Sequence, residues 1–212
     1  MANKRDWIGQ IAILITMLFI SGTSAQQEDI IKGIPSNTNR ERTLIVYISR
    51  TNNTKAVAQI IQENVGGTLV DLELETPYPK HYRTMVNQVA KENGTGFLPS
   101  LKTKIDGIGK YDVVFVGFPT WGMQLPPPMK SFLRQYDLSG KKVIPFNTNG
   151  GYGIGSSFQT IKELCPNSEV LDGFTAKGGS ERDGVLFVME GEKEVEVRIQ
   201  VTKWLRKIGL VK

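Results

Sequence analysis

Three hydroxyl side chains lie close together in one short polar segment of the chain. Ser49, Thr51 and Thr54 fall between the apolar run at 44–48 and the helix-forming residues at 56–61. A turn from a strand into a helix directs free backbone N–H groups and the positive end of the helix dipole at whatever lies above it. Such donors hold a phosphate without a lysine or a metal, unlike the GxxxxGK(S/T) loop of ATP-binding proteins, which is absent here. The segment predicts either a phosphate-binding loop or an ordinary helix cap.

A tryptophan lies in a second loop, between two prolines. Trp121 is preceded by Pro119 and followed by Pro126, in a loop after the apolar run at 113–117. An indole ring held in a loop either stacks on a flat ligand or packs against its own domain. This loop is therefore a candidate for contact with a heteroaromatic ring.

A third loop is rich in glycine. Residues 149–155 contain four glycines and follow the apolar run at 142–146. Glycines let the backbone approach a planar ligand closely, and their amides can bond to its carbonyl and ring-nitrogen edges. Tyr152 would add a second aromatic wall. A phosphate loop, a stacking tryptophan and a glycine-rich edge together describe a site for a phosphorylated flat ring, and FMN is such a molecule.

The segments around these loops alternate between strands and helices. Short apolar runs predict strands at 44–48, 68–72, 113–117, 142–146 and 169–174. Helical spacing of apolar residues predicts helices at 56–65, 82–91, 126–136 and 156–164. The last segment, 195–208, fits a strand or a helix, and we predict a helix because the helical pattern is longer. Such alternation is typical of parallel strands joined by crossover helices, and ligands bind beyond the C-terminal ends of such strands.

The N-terminal residues have the pattern of an export signal. Lys4 and Arg5 precede a mostly apolar run at 7–20, and small residues follow it up to Ala25. This pattern predicts a secretory signal peptide at 1–25, cleaved after Ala25. As a helix the apolar run would span about 21 Å, short of the roughly 30 Å hydrocarbon core of a bilayer. No stable membrane span is therefore expected, and an N-terminal membrane anchor is the alternative.

The remainder divides into two parts. Residues 26–42 are polar and predict a flexible tether, and residues 43–212 predict one domain. The chain has a single cysteine, so no disulfide can form within it. Export without disulfides favours a bacterial periplasm.

Composition argues against several kinds of function. The net charge is +5, but lysine and arginine are scattered among acidic residues, so no nucleic-acid surface is expected. His81 and Cys165 are the only histidine and cysteine, which gives no metal-ligand cluster. His81 is either exposed or a proton donor to a bound substrate, and Cys165 is expected to be buried.

The three loops resemble those of the flavodoxin family, and the resemblance covers residues 43–210. The first loop is similar to a Ser-Arg-Thr-Gly-Asn-Thr-Lys phosphate loop, the second to a Pro-x-Trp loop before a proline-started helix, and the third to a Gly-Gly-x-Gly loop after strand four. The resemblance implies an α/β fold with a three-layer open sheet of five parallel strands in the order 2-1-3-4-5, and FMN as the cofactor. The FMN-binding residues that it implies are Ser49, Arg50, Thr51, Asn52, Asn53, Thr54, Pro119, Thr120, Trp121, Gly122, Asn149, Gly150, Gly151, Tyr152 and Gly153.

Two features depart from the family pattern. Asn52 occupies the position of the usual glycine, and asparagine is the next residue type to tolerate positive φ, so we expect the turn to be kept. The chain is basic, with a pI of about 9.2, whereas flavodoxins are typically acidic and cytoplasmic. Arg50 is either a counter-ion for the phosphate or a solvated side chain at a helix start.

Three functions are compatible with these features. The first is an exported FMN-binding electron-transfer flavoprotein of the flavodoxin type, which exchanges electrons with redox partner proteins. The second is an FMN-dependent quinone or flavin reductase that uses NAD(P)H and acts on a small quinone-like substrate. The third is a flavodoxin-like domain that has lost flavin and binds another ligand. Whether the protein is an enzyme in its own right stays open, because the flavin would carry the chemistry.

Overall fold

The structure is a computed structural model, and it describes residues 42–212 of the chain. The predicted signal peptide at 1–25 and all but the last residue of the predicted tether at 26–42 lie outside the described residues. Within residues 42–212, no helix is both long enough and apolar enough to cross a membrane.

A parallel sheet lies at the centre of the domain. Its strands are β1 (Thr43–Tyr47), β2 (Thr68–Asp71), β3 (Val113–Pro119), β4 (Lys142–Asn149), β5 (Glu169–Val170) and β6 (Phe174–Lys177). They lie in the order β2-β1-β3-β4-β5, and β6 also pairs with β4. Every pairing is parallel. The predicted α/β fold and the strand order 2-1-3-4-5 are confirmed.

The fifth position in the sheet is filled by two short strands rather than the single predicted one. β5 pairs with Lys142 and Val143, and β6 pairs with residues 146–149. The C=O of Val143 accepts the N–H of Leu171 on this edge at 3.0 Å. Pro145, two residues further along, faces the same edge but has no N–H to donate, so the ladder is interrupted there. β6 then extends the edge to the C-terminal end of β4, beside the glycine-rich loop.

Helices cover the sheet on both faces. In the described residues they are α1 (Asn53–Val65), α2 (Tyr82–Thr95), α3 (Pro127–Gln135), α4 (Ser157–Leu164) and α5 (Gly191–Lys207). The C-terminal segment is helical, as predicted. Its buried residues are Val197, Val201, Trp204 and Leu205, which follow a helical spacing.

The core forms two apolar clusters, one on each face of the sheet. Alternate residues of a strand point to opposite faces, and accordingly Ile45 belongs to one cluster and Val46 to the other. The first cluster contains side chains of α1 and α5, and the second contains side chains of α3 and α4. This three-layer packing fixes the strand ends from which the three loops leave.

Candidate functional site

A cavity of about 690 Å³ opens at the C-terminal ends of the strands. The loops that follow β1, β3 and β4 line it, together with one face of α2 and the segment after β6. All of the residues predicted for the site line this cavity except Ser49, Asn52 and Gly151. The sheet therefore brings the three predicted loops together around one space.

The loop after β1 makes a left-handed turn at Asn52. Its φ is 62° and its ψ is −3°, the conformation that glycine adopts most readily. The prediction that asparagine keeps this turn is confirmed. The first hydrogen bond of α1 runs from the N–H of Ala56 to the C=O of Asn52. The amides of residues 53–55 thus precede the first helical hydrogen bond, and no carbonyl within the helix can accept from them.

Hydroxyl groups surround these amides. Thr51 Oγ1 accepts a hydrogen bond from Asn53 Nδ2 at 2.8 Å, which leaves the hydroxyl hydrogen of Thr51 for another acceptor. Thr54 Oγ1 and Thr148 Oγ1 lie 2.8 Å apart, and one hydrogen of this pair is likewise left over. Ser49 Oγ is buried and has no hydrogen-bond partner within residues 42–212. An unpaired buried hydroxyl costs about 1–3 kcal/mol. Ser49 does not line the cavity, so its contact with a phosphate stays a prediction.

The side chains of Asn53 and Arg50 line the cavity but are already hydrogen-bonded to other residues of the protein. Asn53 Nδ2 donates to the C=O of Leu186 at 2.6 Å, and its Oδ1 accepts the N–H of Val188 at 3.1 Å. Arg50 Nε donates to the carboxylate of Glu181 at 2.8 Å. Only about a fifth of either side chain in this ion pair is exposed. Arg50 is therefore neither solvated nor free to act as a phosphate counter-ion in this arrangement.

The loop after β3 presents Trp121 to the cavity. Gly122 and Met123 both have positive φ, 57° and 59°, and they turn the chain so that Trp121 and Gln124 pair across the turn. The indole also packs edge-on against Tyr78, with ring centroids 5.3 Å apart and an interplanar angle of 87°. The indole thus packs on its own domain and its side chain also lines the cavity, while stacking on a flat ligand stays a prediction.

Tyr78 is held from behind by a buried carboxylate. Its hydroxyl donates to Glu92 of α2, which is 6% exposed and also accepts from Gln88 at 2.8 Å. Burial, and next the hydrogen bond to Glu92, raise the pKa of Tyr78 well above its ordinary value. Tyr78 therefore stays protonated and serves as a fixed support for Trp121.

The glycine-rich loop after β4 is held by Asn149. Its Oδ1 accepts the N–H groups of Gly151 and Gly153 at 2.9 and 3.1 Å. These two amides are therefore not available to a ligand, while those of Gly150 and Tyr152 have no partner within residues 42–212. The side chain of Tyr152 is 63% exposed, and its hydroxyl accepts a hydrogen bond from Arg182 at 2.5 Å.

The second and third loops are bonded to one another. Thr120 Oγ1 donates to the C=O of Gly153 at 2.9 Å, and the N–H of Ser156 donates to the C=O of Met123 at 3.0 Å. Gly155 lies so close that a Cβ there would be 1.9 Å from the oxygen of Met123. Only glycine fits at this contact. The walls of the cavity are thus built by the protein's own hydrogen bonds.

Sequence reasoning missed two parts of the lining. One is the face of α2, whose apolar residues were taken only as a sign of a helix. The other is the segment at 178–182, which follows β6. The glycine pair at 178–179 was a usable signal for the second part, because glycines in a loop often allow close backbone approach.

His81 and Cys165 lie apart from the cavity lining. His81 is exposed at the start of α2, with Nδ1 3.1 Å from Thr84 Oγ1. Cys165 is 5% exposed, as expected, and burial raises the pKa of its thiol to about 11. Within residues 42–212, no group of three or more His, Cys, Asp or Glu side chains is placed to hold a metal ion.

Comparison with known proteins gives a consistent pattern. A family model described as flavodoxin matches residues 42–190. No curated protein matches the chain. A solved structure from Bacteroides eggerthii, described as a flavoprotein, is 27% identical with a TM-score of 0.64, and the match covers 81% of this chain and 99% of that one.

Two further solved structures share the fold. One from Bacteroides uniformis, also described as a flavoprotein, is 24% identical with a TM-score of 0.64, and the match covers 78% of this chain and 97% of that one. A flavoprotein from Lactobacillus acidophilus, in complex with FMN, is 22% identical with a TM-score of 0.57, and the match covers 68% of this chain and 98% of that one.

Proposed function

The chain belongs to the flavodoxin family, and we propose that it binds FMN and acts as an exported electron-transfer flavoprotein of the flavodoxin type. One observation carries the proposal. The donors of the first loop, the indole of Trp121 and the glycine-rich loop all line one continuous space. These three surfaces are complementary to a phosphate group joined to a flat ring with a polar edge. The Lactobacillus acidophilus flavoprotein, solved with FMN, has the same fold.

The first loop suits the phosphate group. The free amides at the start of α1, the hydroxyl of Thr51 and the hydroxyl pair of Thr54 and Thr148 all supply neutral hydrogen-bond donors. Hydrogen bonds to a charged acceptor contribute about 1.5–3 kcal/mol each. The helix dipole adds to them. Since Arg50 is paired with Glu181, the phosphate would be held by neutral groups, and its binding should depend only weakly on salt.

The second and third loops suit the ring. Trp121 offers an aromatic surface whose orientation is set by Tyr78. Gly150 and Tyr152 line the cavity, and their unpartnered amides would donate to the polar edge of a ring. Because Thr120 and Asn149 fix both loops before any ligand arrives, little conformational entropy is lost on binding.

Bound FMN would supply one-electron and two-electron chemistry, while the protein controls access to it. Cleavage after Ala25 would remove Lys4, Arg5 and Asp6, which lowers the net charge from +5 to +4. This positive charge and the exposed Lys177 beside the glycine-rich loop favour a redox partner with an acidic docking surface. Export to the periplasm rests on the sequence of residues 1–25 alone. It is tested by locating the protein in cell fractions and by sequencing the mature N-terminus, with Gln26 expected as the first residue.

An absorption spectrum tests the cofactor directly. The full chain is purified, incubated with FMN, desalted and compared with the untreated protein. A retained flavin spectrum supports the proposal. A chain that stays colourless contradicts it and leaves a flavodoxin-like domain that binds another ligand.

The apolar face of α2 favours a second candidate, an FMN-dependent quinone or flavin reductase. This face gives the cavity a wall suited to a small apolar substrate. Direct oxidation of NADH or NADPH by the FMN-loaded chain with a quinone, and without any partner protein, is the discriminating assay. Under these conditions an electron carrier oxidises NADH or NADPH slowly, whereas a reductase oxidises it rapidly.

A further inference from the structure

One face of α2 forms a wall of the cavity, and this wall is separate from the three loops that are proposed to bind FMN. Tyr82, Met85, Val86, Val89 and Ala90 all line the cavity, and they follow the spacing of a single helix face. Val86 is 40% exposed even though it lies on this face. α2 follows β2, whereas the proposed FMN contacts come from loops after β1, β3 and β4. The cavity thus continues past the flavin loops onto an apolar surface.

Two amide side chains close the far end of this wall. Asn93 of α2 and Gln124 of the loop after β3 both line the cavity. Lys130 Nζ lies 2.9 Å from Asn93 Oδ1 and 3.4 Å from Gln124 Oε1. An ammonium group can only donate, so both amides must turn their oxygen atoms to Lys130. Their NH₂ groups are then directed away from it, and neither has an acceptor within residues 42–212.

Lys130 does not line the cavity, so it acts as a positioning residue for the two amides. A ligand oxygen at this end of the wall meets neutral N–H donors rather than the ammonium group itself. A carbonyl oxygen is matched to neutral donors. A carboxylate would lose its hydration for the same two contacts, which is unfavourable beside an apolar surface.

We propose that the face of α2 and the NH₂ groups of Asn93 and Gln124 form a subsite for a second molecule, a flat, uncharged, apolar ring that carries a carbonyl oxygen. The inference rests on the proposed function in one respect, because FMN is taken to occupy the three loops. It deepens that function by assigning a class of small-molecule electron acceptor and the residues that select it.

The test compares two ligands of similar shape, menadione and methylnaphthalene, of which only menadione has carbonyl oxygens. Equilibrium dialysis against the full chain, loaded with oxidised FMN, gives the affinity of each. We expect Asn93→Leu and Gln124→Met each to weaken menadione binding about fivefold, the loss of one neutral hydrogen bond, and to leave methylnaphthalene binding unchanged. Val86→Asp should weaken both ligands, since it places a charge in the apolar wall.

Asn87→Leu is the matched control, because Asn87 lies on the exposed side of the same helix. It should change neither affinity. The thiol of Cys165 is buried, with its pKa raised to about 11, so a covalent reaction of menadione with the folded chain is not expected to interfere.

The outcomes separate this inference from the proposed function. An FMN titration of each variant comes first. A weaker FMN affinity in Asn93→Leu or Gln124→Met would mean that the amides bind the flavin, and it would overturn the subsite. Equal losses for menadione and methylnaphthalene, or no loss for either, would overturn it as well. If the wild-type chain failed to bind FMN, the two ligands would be tested on the FMN-free chain. A loss of menadione affinity in Asn93→Leu, with methylnaphthalene affinity unchanged, would then overturn the proposed function and leave the subsite standing.

Discussion

The hydroxyl pair of Thr54 and Thr148 allows stability and FMN binding to be separated by mutation. The two oxygen atoms lie 2.8 Å apart, and the residues are only 1% and 3% exposed. A change from threonine to valine keeps the shape of the side chain and removes the hydroxyl. Thr54→Val leaves the hydroxyl of Thr148 buried and unpaired, so the free energy of unfolding should fall by about 1–3 kcal/mol. Adding Thr148→Val removes both polar groups together and should restore most of that loss.

FMN affinity should not recover in the double variant. When Thr148 donates to Thr54 within the pair, the hydrogen of Thr54 is the one left for the phosphate, and its hydrogen bond to a charged acceptor contributes about 1.5–3 kcal/mol. We therefore expect the dissociation constant for FMN to rise about ten- to hundredfold in Thr54→Val. It should stay raised in the double variant, although the fold is as stable as before.

Two measurements decide the matter. Urea unfolding of the FMN-free chain gives the stabilities, and titration with FMN gives the dissociation constants. Thr202→Val is the control, because this hydroxyl bonds only within the domain, to the C=O of Arg198 at 3.0 Å and to Asn64. If FMN affinity recovered together with stability in the double variant, the pair would act only through the fold. An unchanged affinity in Thr54→Val would refute the phosphate assignment of this residue.

Three other changes have separate expected outcomes. Trp121→Ala should raise the fluorescence of bound FMN, since a stacked indole quenches it, and unchanged emission would argue against stacking. Asn52→Val should lower the free energy of unfolding by about 1–2 kcal/mol relative to Asn52→Gly, because a β-branched residue is strained at a φ of 62°. Burial raises the pKa of Cys165 from 9.0 to about 11, so ionisation of the thiol favours the unfolded chain. Stability should therefore fall as the pH rises through this range, and urea titrations of Cys165→Ala should show a smaller fall.

Local patterns and the family resemblance were sufficient for the fold, and they predicted three loops that line one cavity. The strands and helices follow from apolar runs and helical spacing, and the strand order follows from the resemblance of three loops to the family. The left-handed turn at Asn52 was also predictable, since Asn52 occupies the glycine position of the family's loop and asparagine tolerates positive φ. The division of the predicted strand at 169–174 into β5 and β6 was not predictable from the residues of that strand. We attribute this division to Pro145, which lies on the neighbouring strand β4.

The unpredicted parts of the site depend on contacts between distant segments. Arg50 and Glu181 are 131 residues apart in the chain, and no local pattern shows that they pair. The face of α2 has a helical period that indicates burial, but the period does not distinguish a protein neighbour from a ligand cavity. Asn93 and Gln124 acquire a role only through Lys130, which comes from a third element.

The segment after β6 is part of the site because the first loop holds it there. Asn53 and Arg50 belong to the first loop, yet both side chains bond to residues of this segment, at Leu186, Val188 and Glu181. The same guanidinium reaches back to the C=O of Pro79, just before α2. A displacement of the segment would therefore break part-buried hydrogen bonds of the first loop without any direct contact with a ligand. If FMN binds the first loop through its phosphate, as proposed, it should also stabilise the segment after β6 and the start of α2 against local opening.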